Sequence, residues 1–178
     1  MASDLPSFSI LSRDHAKIVL RRAAVHHPTK HIPHLVSISD PDDGPPREVQ
    51  NHAGRTLCLL FHDISDPDKD LTVPTRRDVE QIVKFAEDIK PGEHTVCHCN
   101  AGISRSSAAA LTIIASKLEP NGENAQRAIT ELMSIKDIIH PNRAMMTYAD
   151  DIMGWDGRLV GAYRSTFGGG TDLLWMLK

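Results

Sequence analysis

The chain has 178 residues, 40% of them hydrophobic and 24% charged, with a formal net charge of −3. That size and mix predict a single domain over residues 1–178 with one core. The near-neutral balance leaves no basic footprint for a nucleic acid or an anionic membrane, so any anion must be held by a local site. The opening MASDLPSFSILSRDHAK lacks the basic-then-apolar order of a signal peptide, and no apolar run approaches the ~20 residues that span a bilayer, so a cytoplasmic location is expected. Three cysteines, Cys58, Cys97 and Cys99, are too few for a secreted disulfide framework.

In chain order, residues 7–11 read as a short strand and residues 12–22 as a helix, with Ser12 placed to cap it and Ala16, Val19 and Leu20 at helical spacing. Pro28 and Pro33 then exclude regular structure around His26, His27, His31 and His34. This irregular spacing predicts loop histidines rather than a metal cluster. HLVSIS is a buried strand ending in the turn-rich DPDDGPP. RTLCLLFHDI is a continuous apolar strand of the kind covered on both faces, and it leaves through an acidic loop. Thr75 and Asp78 have capping-box spacing ahead of the stripe Val79, Ile82, Val83, Ala86 and Ile89, and Pro91-Gly92 stops that helix. HTVCHC is a further strand, and RSSAAALTIIASKL an apolar helix destined for the core. Helices are also predicted over 122–134, capped by Asn121, and over 142–153. Residues 165–178 read as a possible flexible tail.

Strands alternating with helices imply an α/β architecture, a central mostly parallel sheet flanked by helices. In such sheets the loops leaving the carboxyl ends of the strands gather on one edge, which is where ligands bind. Here they are DPDDGPP, DISDPDKD and CNAGISR, so the acidic loops are expected to face the cysteine loop.

CNAGISR has the makings of an anion cradle. Gly102 permits a tight turn in which successive backbone N–H groups point inward, and the helix that follows adds its positive amino end. Arg105 can bond two oxygens of a phosphate from the first turn of that helix. The same field favours the thiolate of Cys99 and makes it a nucleophile. Cys97, one alternation earlier on the same face, reads as packing. Cys-x-Cys spacing and the opposite direction of His98 argue against zinc, so no metal or other cofactor is expected.

These residues carry a resemblance. HCNAGISRS resembles the His-Cys-x5-Arg-Ser/Thr signature of the cysteine-dependent protein tyrosine phosphatase superfamily. Its place past the middle of a short chain resembles the compact dual-specificity type, as does the Pro141-Asn142 step. The likeness spans roughly residues 32–155 and is strongest to bacterial and archaeal predicted tyrosine phosphatases, which share FHDI and a closing DGRLVGA. The resemblance implies a dual-specificity-phosphatase-like fold and a cysteinyl-phosphate on Cys99. It further implies oxyanion binding by Arg105 and by the backbone of Asn100, Ala101, Gly102, Ile103 and Ser104, and a hydrogen bond from Ser106 to the departing sulfur. His98 would order the loop and help keep Cys99 ionised, and Asn142 would brace it. For the general acid, Asp63 at the strand end is preferred, with Asp66 as the alternative. The implied partner is a phosphorylated protein or peptide. Three rivals stand beside this reading: a phosphoinositide or small-phosphoester phosphatase, a rhodanese-type sulfurtransferase, and a non-catalytic phosphoprotein-binding module. Cys58 and Cys97, expected on adjacent strands, are candidates for a protective disulfide with Cys99.

Overall fold

The computed structural model of the protein describes residues 4–26 and 32–167. The elements run β1 (Ser7–Ser12), α1 (Arg13–His26), β2 (His34–Ser39), α2 (Arg47–Gln50), β3 (Arg55–Leu60), α3 (Arg76–Glu87), β4 (His94–Cys99), α4 (Arg105–Ala115), α5 (Gly122–Ile135), α6 (Arg143–Ile152) and α7 (Arg158–Phe167). The strands form one sheet in the order β1-β4-β2-β3, with every neighbouring pair parallel. All four carboxyl ends therefore point to the same edge, as the sequence implied.

The pleat divides the core in two. Ile10, Val36, Ile38, Leu59, Cys97 and Cys99 face the large cluster built with α3 to α7, whereas Leu35 and Val96 pack with Leu20 of α1 and Val49 of α2 on the other face. The apolar helix α4 is buried along its whole length, which its alanine-rich, all-round apolar sequence allows because small side chains let neighbouring elements approach from every side.

Local sequence accounts for several helix starts. Thr75 and Asp78 form a reciprocal capping box on α3. The Asn121 side chain accepts the Asn124 N–H at the start of α5, and Ser12 Oγ accepts the His15 N–H at 3.3 Å at the start of α1. Two helices had no such signal. α2 is a single turn after Pro46. α7 is started from a distance: the buried Asp150 carboxylate on α6 accepts the N–H groups of Gly157 at 2.6 Å and Val160 at 3.0 Å. Residues 165–167, expected to begin the tail, instead complete α7. The remainder of that tail lies outside the described residues, as do His27 and His31.

The strand expected across RTLCLLFHDI ends at Leu60 and occupies the sheet edge. It is covered on one face only, because α1 and α2 do not extend over it, so Cys58 and Leu60 are exposed. β2 separates β3 from β4, which corrects the expected adjacency of Cys58 and Cys97. Cys58 shares a row with Ser37 and His98 on the face opposite to Cys99. Two strand spacings make about 9.6 Å, beyond the ~7 Å reach of a disulfide.

Candidate active site

Cys99 is the last residue of β4, and its sulfur sits where the chain turns into α4. The Gly102 N–H donates to Sγ at 3.2 Å, and the Ser106 hydroxyl lies 3.2 Å from it. Gly102 has φ +71°, and a Cβ there would stand 2.5 Å from the Leu11 carbonyl carbon and the Ser12 nitrogen. Conformation and the close pass of β1 together require glycine at this turn. The carbonyls that the loop turns outward are used: Lys136 donates to Gly102 O at 2.5 Å, His140 N–H to Ile103 O at 3.1 Å, Asn142 N–H to Ser104 O at 3.3 Å and Arg13 N–H to Asn100 O at 3.1 Å. The turn from Cys99 to Arg105 is thus tied from outside by α1 and by the connection between α5 and α6.

Arg105 is 2% exposed. Its Nη1 donates to Asp40 Oδ1 at 2.6 Å and to the Phe61 carbonyl at 2.5 Å. Its Nε is buried without a hydrogen bond and lies 4.0 Å from Asp63 Oδ2. With Nη1 engaged from behind, the Nε edge of the guanidinium is left for an oxyanion.

The two aspartates considered for the acid differ in surroundings. Asp63 lies over the loop, where its Oδ1 accepts from Ser104 Oγ at 2.6 Å and from Asn142 Nδ2 at 3.0 Å. Asp66 is more exposed and paired with Arg143 at 2.5 Å. Asn142 also donates to Ile64 O at 3.1 Å and accepts the Met145 N–H at 3.2 Å, so one side chain caps α6 and fixes the loop that carries Asp63.

His98 faces away from Cys99, into the smaller core. Burial, and secondarily the Arg13 guanidinium, push its pKa down to about 4, with the Cys99 backbone opposing. The ring is therefore neutral at neutral pH, and any part it takes at Cys99 does not come from a positive charge of its own. Cys97 is fully buried, and its thiol is pushed up first by burial and then by Cys99, so it stays protonated. Among the described residues, no three His, Cys, Asp or Glu side chains converge as a metal site. His34 is paired with Glu93 at 2.8 Å.

Asp40 was not anticipated. Its Oδ2 accepts from Asn100 Nδ2 at 2.7 Å while its Oδ1 holds Arg105. The signal was present: Asp40 is the first acidic residue past a buried strand, in the same relation to HLVSIS as Asp63 to the strand before it. Lys136 and Arg13 gave no comparable signal.

No protein-family model and no curated protein matches the chain in sequence. Solved structures do match in fold. Human DUSP28 is similar at 18% identity over 86% of this chain and 96% of that one, with a TM-score of 0.56. The phosphatase domain of Yvh1 from Chaetomium thermophilum is similar at 22% identity over 88% and 92%, with a TM-score of 0.52. PTPMT1 in complex with PI(5)P is similar at 14% identity over 83% and 90%, with a TM-score of 0.54. The chain has the compact α/β fold of the dual-specificity phosphatases.

Proposed function

We propose that the protein hydrolyses phosphate monoesters through a cysteinyl-phosphate on Cys99, and that its substrates are phosphorylated proteins, with phosphotyrosine the first candidate. The observation that carries this reading is the placement of Cys99 Sγ at the amino end of α4, hydrogen-bonded by Gly102 N–H and facing Ser106, with the buried Arg105 alongside.

In the first step the Cys99 thiolate forms a bond to phosphorus and the ester oxygen leaves, taking a proton from Asp63. The loop amides and the Nε edge of Arg105 hold the equatorial oxygens, where positioning and charge stabilisation supply most of the rate. In the second step water attacks phosphorus, Asp63 takes its proton, and the sulfur departs as thiolate with the Ser106 hydroxyl donating to it. Asp63 is favoured over Asp66 because it lies against the loop and near Arg105, whereas Asp66 is engaged by Arg143.

A phosphoinositide substrate is the nearest rival. No lysine lies between Cys99 and Arg105, and the loops over 40–43 and 63–70 carry Asp40, Asp42, Asp43, Asp63, Asp66, Asp68 and Asp70. So many carboxylates beside the site disfavour a polyphosphorylated headgroup. The intact Cys99, Arg105 and Ser106 support turnover over simple phosphoprotein binding, and the arginine at the helix start supports phosphoryl over sulfur transfer.

The experiment is vanadate-sensitive hydrolysis of p-nitrophenyl phosphate, followed by a panel of phosphotyrosyl, phosphoseryl and phosphoinositide substrates. Wild type is expected to turn over the aryl phosphate and to prefer phosphotyrosyl peptides, with Cys99→Ser inactive. An inactive wild type overturns the phosphatase reading, and a preference for the lipid overturns the substrate class.

A further inference from the structure

We propose that His62 is a positioning residue for the general acid, and that its side chain closes the neck of the loop that carries Asp63. The proposal rests on the phosphatase reading of this site, with Asp63 as the proton donor. It extends that reading to the residue directly before the acid, whose ring bonds to the far end of the same loop.

The sheet holds the chain as far as Phe61, whose N–H donates to Ser39 O at 3.1 Å and whose carbonyl accepts from Arg105. The chain is fixed again at Thr75, by the capping box that starts α3. Between these points it is drawn back on itself at the pair His62 and Thr72. The His62 N–H donates to Thr72 O at 2.8 Å, and the Thr72 N–H donates to His62 Nδ1 at 3.0 Å. Because Nδ1 accepts, the ring proton is on Nε2. In an ordinary antiparallel bridge the second bond would run to the His62 carbonyl. The ring takes that place, which closes the neck and leaves the backbone free to turn at Asp63.

That turn brings Asp63 over the cysteine loop. Its Oδ1 accepts from Ser104 Oγ at 2.6 Å and from Asn142 Nδ2 at 3.0 Å, and its Oδ2 lies 4.0 Å from Arg105 Nε. Oδ2 is therefore the oxygen left to carry a proton to a leaving group held beside Arg105. Two further holds reach the loop from the start of α6: Asn142 Nδ2 donates to Ile64 O at 3.1 Å, and Arg143 pairs with Asp66 at 2.5 Å. Both grip the chain beyond Asp63. The His62 clasp grips it before Asp63 and fixes the direction in which the chain leaves β3. The Asp63 side chain is 35% exposed, so its position depends on these tethers more than on packing.

The test measures kcat on phenyl phosphate, whose leaving group needs a proton, and on dinitrophenyl phosphate, whose leaving group departs as the anion. Affinity for inorganic tungstate, a phosphate mimic, is measured beside them by calorimetry. The comparison covers wild type, His62→Ala, His62→Asn, Asp63→Asn and the double variant of His62→Ala with Asp63→Asn. His62→Ala is expected to lose about 10²-fold in kcat on phenyl phosphate, the order of loss that a misplaced catalytic group produces. On dinitrophenyl phosphate and in tungstate affinity it is expected to lose less than about threefold. His62→Asn, whose Oδ1 stands where the imidazole Nδ1 does, is expected to recover most of the loss. With Asp63 already replaced, His62→Ala is expected to change kcat by less than about twofold, because its effect runs through that carboxyl. If His62→Ala does not fold, His62→Gln, which carries its acceptor past the Thr72 N–H, serves in its place.

Equal losses on the two esters overturn the proposal, as does His62→Ala within about twofold of wild type on phenyl phosphate, or His62→Asn no better than His62→Ala. A leaving-group effect in Asp63→Asn beside a silent His62→Ala overturns the role of His62 alone. If wild type is active and Asp63→Asn shows no such effect, the acid is another residue and the proposal falls with it. Hydrolysis of neither ester by wild type overturns the phosphatase reading and the proposal together.

Discussion

At the amino ends of the strands polar side chains meet in small separate groups, whereas at the carboxyl ends they are linked to one another around one buried arginine. Near the amino ends, Arg55 pairs with Asp88 at 3.0 Å, His34 with Glu93 at 2.8 Å, and His94 with the hydroxyls of Ser7 and Ser9. At the carboxyl ends, Asp40 serves Asn100 and Arg105, Asp63 serves Ser104 and Asn142, and Arg105 serves Asp40 and the Phe61 carbonyl. Isolated exposed pairs each contribute little to stability. A shared network around the buried Arg105 and Asn142 is different in kind, because removing one member leaves a buried donor unpaired. Both ends belong to one sheet. The difference lies in where the strands deliver charge, and the carboxyl edge gathers it around one sulfur.

The largest effect should come from breaking the carboxyl-end network at Asp63, the proposed proton donor. Asp63→Asn is expected to lower kcat by roughly 10²–10⁴-fold on alkyl or phenyl phosphates, and far less on substrates whose leaving group needs no proton. Asp66→Asn should leave both classes near wild type, since Asp66 is engaged with Arg143. The reverse pattern in steady-state rates across leaving groups would move the acid to Asp66. Next in size is Arg105→Lys, expected to lose roughly 10²–10³-fold in kcat/KM. An ammonium keeps the charge but cannot hold Asp40 and the Phe61 carbonyl while offering a second edge to an oxyanion. Near-wild-type kinetics for that variant would show that charge alone suffices and that the geometry of the network is incidental.

His98 sharpens the comparison from below the loop. Its pKa of about 4 in the folded chain lies below the ordinary value of 6.5, so the unfolded chain binds the proton more readily. Its contribution to stability is therefore complete above about pH 6.5 and is lost as the pH falls toward 4. The loss amounts to up to about 3 kcal/mol. Urea denaturation of wild type across that window should show a steeper fall than His98→Asn. Parallel curves would mean that the buried imidazole does not resist protonation.

How much of this was legible in the sequence depends on whether a feature is made by neighbours in the chain. The cap at Thr75 and the turn at Gly102 are local, and the sequence-based expectations placed them correctly, whereas α3 ends at Glu87, ahead of the expected stop at Pro91-Gly92. The parallel sheet also followed, since alternating strands and helices leave few other solutions. Strand order did not. β3 reads as apolar as a central strand, yet it lies at the edge, because coverage by α1 and α2 is a tertiary outcome that no run of residues encodes. α7 was missed for the same reason: its amino end is organised by Asp150, seven residues before Gly157. At the candidate site the cysteine loop was visible as a motif, whereas Asp40 and Lys136 act on it from 60 and 34 residues away along the chain. The direction of His98 followed from strand alternation, but its charge state did not, because desolvation depends on what packs over it.

The smallest effect belongs at the opposite end and serves as the control for the rest. Asp88 is largely exposed, and its partner Arg55 has other holds: it donates to the Phe85 carbonyl at 2.8 Å, and its guanidinium carbon stands 4.2 Å from the centre of the Phe85 ring. Asp88→Asn removes one charge from a group that keeps both remaining contacts. It is expected to cost less than about 1 kcal/mol in urea denaturation, with unchanged kcat/KM. A loss of several kcal/mol would mean that this end is also cooperative. The sensitivity of Arg105 would then reflect a general fragility of charge in this sheet, and its link to the sulfur at the end of β4 would have to be shown by kinetics alone.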